Sequence, residues 1–247
     1  MCGGGPVGPM DVFGAAVRDR VAGTTEPLTI ERDDGYLDTD DLDSYFSTFD
    51  SFPECERRAL NLAKGRVLDI GLGPGRVSLH VQDMGLEAVG IDLSDGMLEV
   101  ARRRGVANAV KMSACDMTFP KGHFQTAVAF GNNFGICGSP GGVMSMLLRL
   151  REVLSDDGVF LAESIDPLRT SQPEHLAYHE RNRSAGLMPG QVRIRDVYKG
   201  VAGEWFDLLL VTPTEMKVLA ERTGWKVSET FQLPEDGPLF VCALTKA

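Results

Sequence analysis

The sequence has few basic residues for its length, and it has no apolar run of the roughly 20 residues that cross a membrane. Among its 247 residues, 35 Asp and Glu outnumber 25 Lys and Arg, which gives a formal net charge of −10. This charge opposes binding to phosphate backbones and to anionic membranes. We therefore expect neither nucleic acid nor a membrane as a partner. The glycine-rich start also lacks the basic and apolar regions of a signal peptide, so we expect a cytoplasmic protein.

Cysteine motifs for zinc or redox chemistry are also missing. The five cysteines are odd in number and scattered, and no two form a Cys-x-x-Cys pair. We therefore predict reduced thiols, as is usual in a cytoplasm. His175 and His179 lie one helical turn apart, a spacing that suits a metal, but no third ligand is fixed by spacing. We predict no metal site, and a solvated or substrate-facing helix instead.

Three regions differ in their residue patterns. Residues 1–10 are rich in Gly and Pro and predict a flexible tail. Residues 11–65 are acidic and aromatic, and we expect an N-terminal cap of helices and turns. From residue 66 to residue 247, short apolar runs alternate with helical segments, which is the pattern of βαβ units. We predict an α/β domain with a doubly wound, mostly parallel sheet and an antiparallel C-terminal strand.

Residues 164–212 interrupt this alternation. Two strand-like runs, at residues 191–199 and 204–211, are joined through Gly200 and Gly203 and predict a β-hairpin. The segment begins at the carboxyl edge of the sheet, where ligands bind in open α/β folds. It is far longer than the roughly 2 to 6 residues of an ordinary connection. We expect an inserted β-hairpin lid over a ligand site.

The most informative motif is a glycine-rich turn directly after an apolar strand. It reads Val67-Leu68-Asp69-Ile70-Gly71-Leu72-Gly73-Pro74-Gly75. Glycines let the backbone turn tightly and let a ligand approach closely. The next apolar strand ends in Asp92, whose carboxylate can accept hydrogen bonds from both hydroxyls of a ribose. Two simpler interpretations stay open: the turn holds no ligand, or Asp92 with Ser94 only caps the next helix.

In this order, the motifs resemble those of the class I S-adenosylmethionine-dependent methyltransferases, and the resemblance covers residues 66–247. The segment Asp69-x-Gly71-x-Gly73-x-Gly75 is similar to the first motif of that family. It differs from the dinucleotide fingerprint, whose third glycine follows two intervening residues. The resemblance implies a Rossmann-like fold, methyltransferase activity and S-adenosyl-L-methionine as the cofactor. In the family the turn binds the methionine part of the cofactor, and the acid matching Asp92 binds the ribose.

The resemblance also implies further site residues. Leu93 packs on the adenine, and the acid matching Asp116 contacts the adenine amino group. Cys115 and Met117 lie beside the ring. The segment Gly131-Asn132-Asn133-Phe134 is similar to the Gly-Asn-Ser-Phe segment of small-molecule N-methyltransferases. The expected cofactor-binding residues are Asp69, Gly71, Leu72, Gly73, Gly75, Asp92, Leu93, Cys115, Asp116, Met117, Gly131 and Asn132. The expected substrate-binding residues are Asn133, Tyr178, Arg193 and Arg195.

The predicted lid carries a basic face. Strand alternation places Arg193, Arg195 and Lys199 on one side. We expect Arg193 or Arg195 to bind an anionic group, such as a carboxylate, on a small-molecule acceptor. The alternative is that these cations are simply solvated.

No residue is assigned as catalytic. A sulfonium methyl group is already electrophilic, so in-line displacement needs mainly alignment and exclusion of water. His175 and His179 are the candidate bases if the acceptor must lose a proton.

Two rival functions share parts of this pattern. A nicotinamide-dependent oxidoreductase also has the glycine turn and the ribose-binding acid, although its glycine spacing differs. A non-catalytic S-adenosylmethionine-binding protein would keep the same pocket without turnover. Cofactor binding discriminates the first rival, and turnover discriminates the second.

Overall fold

Two β-sheets form the protein in the computed structural model, which describes residues 11–247. The predicted tail at residues 1–10 lies outside the described residues. The larger sheet contains β3 (Arg66–Ile70), β4 (Glu87–Asp92), β5 (Ala109–Lys111), β6 (Phe124–Ala129), β7 (Leu154–Ile165), β11 (Trp225–Phe231) and β12 (Leu239–Lys246). Their order across the sheet is β11-β12-β7-β6-β3-β4-β5.

The larger sheet winds in two directions from its centre. The five strands β3 to β7 run parallel, and β12 is antiparallel to β7 and to β11. The chain proceeds outward from β3 through β4 and β5, and then continues on the other side of β3 with β6 and β7. Ligands of open α/β sheets bind at such a reversal. The predicted doubly wound, mostly parallel sheet with an antiparallel C-terminal strand is confirmed.

Helices cover both faces of the larger sheet. The α-helices of the described chain are α1 (Val12–Val21), α2 (Glu54–Leu60), α3 (Arg76–Asp83), α4 (Asp95–Arg104), α5 (Pro140–Val153), α6 (Pro173–Ser184) and α7 (Pro213–Arg222). Successive strand residues point to opposite faces. In β7, Phe160 therefore belongs to one buried cluster and Leu161 to another. Because both faces of the larger sheet are buried, the sheet holds the loops at its carboxyl edge in place.

A second, smaller sheet combines the N-terminal segment with the predicted lid. It contains β1 (Leu28–Arg32), β2 (Leu37–Asp40), β8 (Gln191–Tyr198), β9 (Val201–Ala202) and β10 (Phe206–Leu209). The order is β10-β8-β1-β2, and β9 pairs with β8. We refer to these five strands as the small sheet.

The small sheet contains the hairpin expected in the lid. It also adds strands β1 and β2 to the cap of helices and turns expected at residues 11–65. Strands β8 and β10 form an antiparallel pair, but β8 also pairs with β1, where Thr29 lies opposite Val197. Strand β1 is therefore stabilised by a partner far away in the sequence. Its own residues show only a weak strand pattern. Because β propensity depends on the packing partner, the local sequence did not predict this strand.

No helix within residues 11–247 is both long enough and apolar enough to cross a membrane.

Candidate functional site

A cavity of about 300 Å³ lies at the carboxyl edge of the larger sheet, beside the reversal between β3 and β6. We call the side formed by the larger sheet the floor, and it includes Asp69, Gly71, Leu72, Gly73, Pro74 and Asp92. We call the opposite side the roof, which includes Phe13, Ile30, Asp40, Tyr45, Ile194, Asp196, Phe206 and Leu208. Gly131, Asn132 and Asn133 line the cavity between the floor and the roof.

The glycine-rich turn is shaped for close approach by a ligand. Gly71 and Gly73 have φ angles of +70° and +54°, which favour glycine. A Cβ atom on Gly71 would lie 2.1 Å from the Asn133 amide, which donates to the carbonyl oxygens of Ile70 and Gly71 at 3.1 Å. A Cβ atom on Gly73 would meet no atom within 4 Å. The turn is therefore packed against Asn133 at Gly71, and it leaves open space for a ligand at Gly73.

Asp92 connects the second strand of the motif to this turn. Its Oδ2 atom accepts a hydrogen bond from the Gly73 N–H, and its Oδ1 atom accepts one from the Ser94 N–H, both at 2.9 Å. The cap of α4 belongs to Ser94, whose Oγ atom accepts from the Met97 N–H at 3.0 Å. Burial raises the pKa of the Asp92 carboxyl group. Each carboxylate oxygen keeps lone-pair capacity for another donor from the cavity.

Asp69 lies beneath the turn. It is buried, and its Oδ2 atom accepts a hydrogen bond from the Ser78 hydroxyl at 2.7 Å. Burial raises the pKa of its carboxyl group to about 6, although the Ser78 hydrogen bond lowers it. Asp69 lines the cavity and also anchors the start of α3.

The loop after β6 is held by a residue that the sequence analysis missed. Glu163, near the end of β7, is buried, and its Oε1 atom accepts from the backbone N–H groups of Gly131 and Asn132 at 2.7 and 3.1 Å. The Asn132 side chain accepts from the Ile165 N–H at 2.7 Å. An acid at the end of an otherwise apolar strand was the available signal, because a buried charge needs partners.

The roof is apolar except for two carboxyl groups. The Tyr45 hydroxyl donates to Asp40 Oδ2 at 2.8 Å. Asp196 lies on β8 and lines the cavity together with Asp40. Burial, and then the nearby Asp40, raise the pKa of Asp196 to about 6. Burial also raises the pKa of Asp40. The roof is therefore a weakly solvated, acidic surface.

The basic face of β8 points away from the cavity, contrary to the expectation for Arg193 and Arg195. Strand alternation places Ile194 and Asp196 at the cavity and both arginines on the opposite face. Arg193 lies 3.6 Å from Asp207. Arg195 pairs with Glu31 at 2.8 Å and stacks over Trp205. The geometry gives these arginines structural partners and gives no support for binding an anionic acceptor.

Tyr178 also lies away from the cavity lining. It is buried, its hydroxyl donates to Asp33 at 2.8 Å, and the same oxygen accepts from the Arg193 N–H at 3.2 Å. The ring of His175 packs against Tyr36, with 5.0 Å between the ring centroids, and His179 is buried. Within residues 11–247, no group of three His, Cys, Asp or Glu side chains could hold a metal ion.

The residues expected around an adenine ring do not line the cavity either. Leu93 is 62% exposed, Asp116 is exposed, and Met117 is 1% exposed within the core. Cys115 is joined to Cys137 by a disulfide bond, so the prediction of reduced thiols is wrong for this pair. Sequence spacing hid the pair, because the loops after β5 and β6 meet only in the folded chain. The adenine contacts stay predictions, as does the cofactor-binding role of Gly75, which lies at the start of α3 and outside the cavity lining.

Solved structures show the same architecture. A methyltransferase from Bacteroides fragilis, described as S-adenosylmethionine-dependent and solved with S-adenosyl-L-homocysteine, has a TM-score of 0.82 at 26% identity, covering 98% of this chain and 97% of that chain. The 1,6-didemethyltoxoflavin-N1-methyltransferase of Burkholderia thailandensis has a TM-score of 0.52 at 16% identity, covering 100% and 93%, and shows the fold alone. The fold is that of Rossmann-like methyltransferases.

Sequence comparison agrees with this class. Residues 67–158 match the methyltransferase domain family. The putative methyltransferase YqeM of Bacillus subtilis is 26% identical over 102 residues, which cover 40% of this chain and 41% of that protein. The match therefore spans about two-fifths of that curated relative. Residues 67–158 therefore match a methyltransferase domain, and over almost its whole length the chain is similar to an S-adenosylmethionine-dependent methyltransferase solved with S-adenosyl-L-homocysteine. These similarities give S-adenosyl-L-methionine as the cofactor.

The floor fits this cofactor. The missing Cβ of Gly73 leaves open space at the cavity, and Asp92 presents a carboxylate that can accept from hydroxyl groups there. Asp92 and the glycine turn are also joined by a hydrogen bond, so a ligand that contacts both meets a preorganised surface.

Proposed function

We propose that this chain transfers the methyl group of S-adenosyl-L-methionine to a small-molecule acceptor by in-line displacement. The observation that carries the proposal is the shared cavity, in which the glycine turn and Asp92 face a roof of different chemistry. The bound cofactor supplies an electrophilic methyl group on a sulfonium. The protein residues hold the reactants in line and exclude water.

Separate residues take separate parts of this work. Asp92 and the turn at Gly71 and Gly73 would hold the cofactor from the floor. Asn133 keeps the turn in place by donating to two of its carbonyl groups. The small sheet covers the cavity and restricts water. Because the roof lies over the cavity opposite the floor, the site favours a small acceptor over a polymer.

The roof favours an acceptor with a basic nitrogen. Its aromatic and aliphatic side chains suit an apolar body, and Asp40 and Asp196 supply the charge. Asp196 is ionised above a pH of about 6, so it can then accept a hydrogen bond from an ammonium group. It can also take the proton of that group, which frees the nitrogen lone pair to attack the methyl carbon while S-adenosylhomocysteine leaves. This replaces the anionic acceptor expected from the sequence. The Burkholderia neighbour is named an N1-methyltransferase of 1,6-didemethyltoxoflavin, which is compatible with a nitrogen acceptor.

Turnover tests the proposal. Purified protein would be incubated with S-adenosylmethionine and panels of small amines, phenols, thiols and carboxylates, and release of S-adenosylhomocysteine would be measured. We expect release above background with members of the amine panel. Release only with phenols, thiols or carboxylates would contradict the assignment of the roof. Binding of the cofactor without turnover on any panel would favour the non-catalytic alternative.

A further inference from the structure

A buried chain of charged side chains connects the start of α3 with the loop after β6. Arg76 donates to both carboxylate oxygens of Glu56 at 2.5 and 2.6 Å. Glu56 and Glu163 are 1% and 2% exposed, and their carboxyl groups lie next to each other. Glu163 in turn accepts from the N–H groups of Gly131 and Asn132. Arg76, Gly131 and Asn132 all line the cavity, so this chain spans two of its walls.

One oxygen of Glu163 has no evident partner. Its Oε2 atom is buried and has no hydrogen-bond donor among the described residues. An isolated buried carboxylate is unfavourable, and the neighbouring Glu56 has only acceptors to offer if both groups are ionised. One proton on Glu163 Oε2 removes the conflict, because the resulting hydroxyl can donate to Glu56. Arg76 then neutralises the single remaining negative charge.

The other charged groups around Glu163 agree with this arrangement. Burial, followed by Glu56, raises the pKa of Glu163 well above its ordinary value, and Arg76 opposes the rise. The Cys55 thiol is the next titratable group, and burial raises its pKa as well. Asp69 acts on Arg76 from the floor. Ionised Glu163 would place two carboxylates against one guanidinium in a buried site.

We propose that Glu163 is a positioning residue that stays protonated at neutral pH and fixes the turn at Asn132 against the cavity. Asn132 has a φ angle of +64°, which is uncommon for a residue other than glycine. The two N–H groups bound to Glu163 Oε1 hold that conformation from one side, and the Ile165 N–H holds it from the other. The inference rests on the proposed function, because the turn positions the acceptor only if transfer occurs in this cavity.

Two substitutions separate this role from simple packing. In Glu163→Gln the amide can still donate to Glu56 and accept from Gly131 and Asn132. In Glu163→Leu a similar volume is kept, but both N–H groups lose their acceptor. The matched control is Thr126→Val. Thr126 lies in β6, next to β7, and its buried hydroxyl is hydrogen-bonded to the backbone of Lys64 away from the cavity lining.

Infrared spectroscopy of the unliganded protein detects the protonated carboxyl group directly. Steady-state kinetics measure whether the turn at Asn132 is positioned for catalysis. We expect the parent at pH 7 to show protonated-carboxyl C=O absorption, and we expect Glu163→Gln to lose the part of it that belongs to one carboxyl group. We expect Glu163→Gln to keep kcat within about threefold, and Glu163→Leu to lower kcat by about tenfold or more. Thr126→Val should lower the Tm with kcat unchanged.

A parent spectrum without such a band, or a band whose intensity is unchanged in Glu163→Gln, would overturn the proposal even if Glu163→Leu fails to fold. It would also be overturned if folded Glu163→Leu behaved like Thr126→Val, with a lower Tm and the kcat of the parent. Failure of all proteins, including the parent, to transfer methyl groups would refute the proposed function instead. The infrared result would still decide the protonation of Glu163.

Discussion

The floor and the roof of the cavity are built in different ways. The floor comes from one continuous segment, in which β3, the glycine turn and β4 follow each other within residues 66–92. The roof combines α1, β1 and β2 near one end of the chain with β8 and β10 near the other. The floor therefore lies almost entirely within the matched methyltransferase domain, residues 67–158, and the roof strands lie outside it. We expect substitutions in the floor to affect the cofactor and substitutions in the roof to affect the acceptor.

The largest expected effect is that of Gly71→Ala in the floor. The new Cβ would lie 2.1 Å from the Asn133 amide at a φ angle of +70°. We expect affinity for S-adenosylhomocysteine to fall by about 100-fold or more, measured by calorimetry. Gly85→Ala is the matched control, because Gly85 has a φ angle of +78° with no atom within 4 Å of a Cβ. Equal losses in both variants would show that backbone strain, and not the cavity, decides the affinity.

Asp92→Ala is the second test of the floor. It removes the charged acceptor proposed for the ribose hydroxyls and also the hydrogen bonds to Gly73 and Ser94. We expect affinity for S-adenosylhomocysteine to fall about tenfold to hundredfold with the fold retained. Asp95→Ala, which removes an exposed partner of Lys111, is the control and should bind as the parent does. Parental affinity in folded Asp92→Ala would refute the ribose assignment.

Asp196→Asn separates the roof from the floor. With an amine acceptor in hand, we expect its KM to rise about tenfold while affinity for S-adenosylhomocysteine stays within about twofold. Steady-state kinetics and calorimetry measure the two effects. Asp207→Asn removes an exposed carboxylate that pairs with Arg193 and does not line the cavity, so it should change neither value. A shared loss of cofactor affinity would contradict the division between roof and floor.

The same substitution should make the protein more stable at neutral pH. The pKa of Asp196 rises from 3.8 to about 6 on folding, so the folded state binds more protons between these values. Parent stability therefore falls as the pH rises from about 4 to about 6, whereas Asn does not ionise. We compare the free energy of unfolding of Asp196→Asn with that of the parent by urea unfolding. We expect this difference to favour the variant by about 2 to 3 kcal/mol more at pH 7 than at pH 4. A pH-independent difference would contradict the raised pKa.

The smallest expected effects are those of Arg193→Ala and Arg195→Ala. Both side chains lie on the face of β8 opposite the cavity and pair with Asp207 and Glu31. Partly exposed pairs contribute about 0 to 1 kcal/mol. We expect acceptor KM and cofactor affinity within about twofold of the parent. A large rise in acceptor KM with unchanged cofactor binding would restore the anion-binding hypothesis.

Local sequence patterns predicted the floor because all of its determinants are close together in the chain. The glycine spacing fixed the turn, and Asp92 followed at the end of the next strand. The start of α7 is determined just as locally, since Thr212 and Glu215 form a capping box within one turn. Each of these features depends on residues that are near one another in the sequence.

The roof was not predictable in this way. Asp196 and Asp40 reach one cavity only because β8 pairs with β1, and the β1 and β2 segment carries a weak strand pattern of its own. Alternation within β8 gave two faces correctly, but nothing local showed which face turns inward. Glu163 was missed because its partners, Glu56 and Asn132, lie in distant segments.

The most direct test of the whole account is a calorimetric titration of the parent protein with S-adenosylhomocysteine and, separately, with NAD. The account predicts that S-adenosylhomocysteine binds and that NAD does not. Binding of NAD without binding of S-adenosylhomocysteine would contradict the account and favour the oxidoreductase alternative.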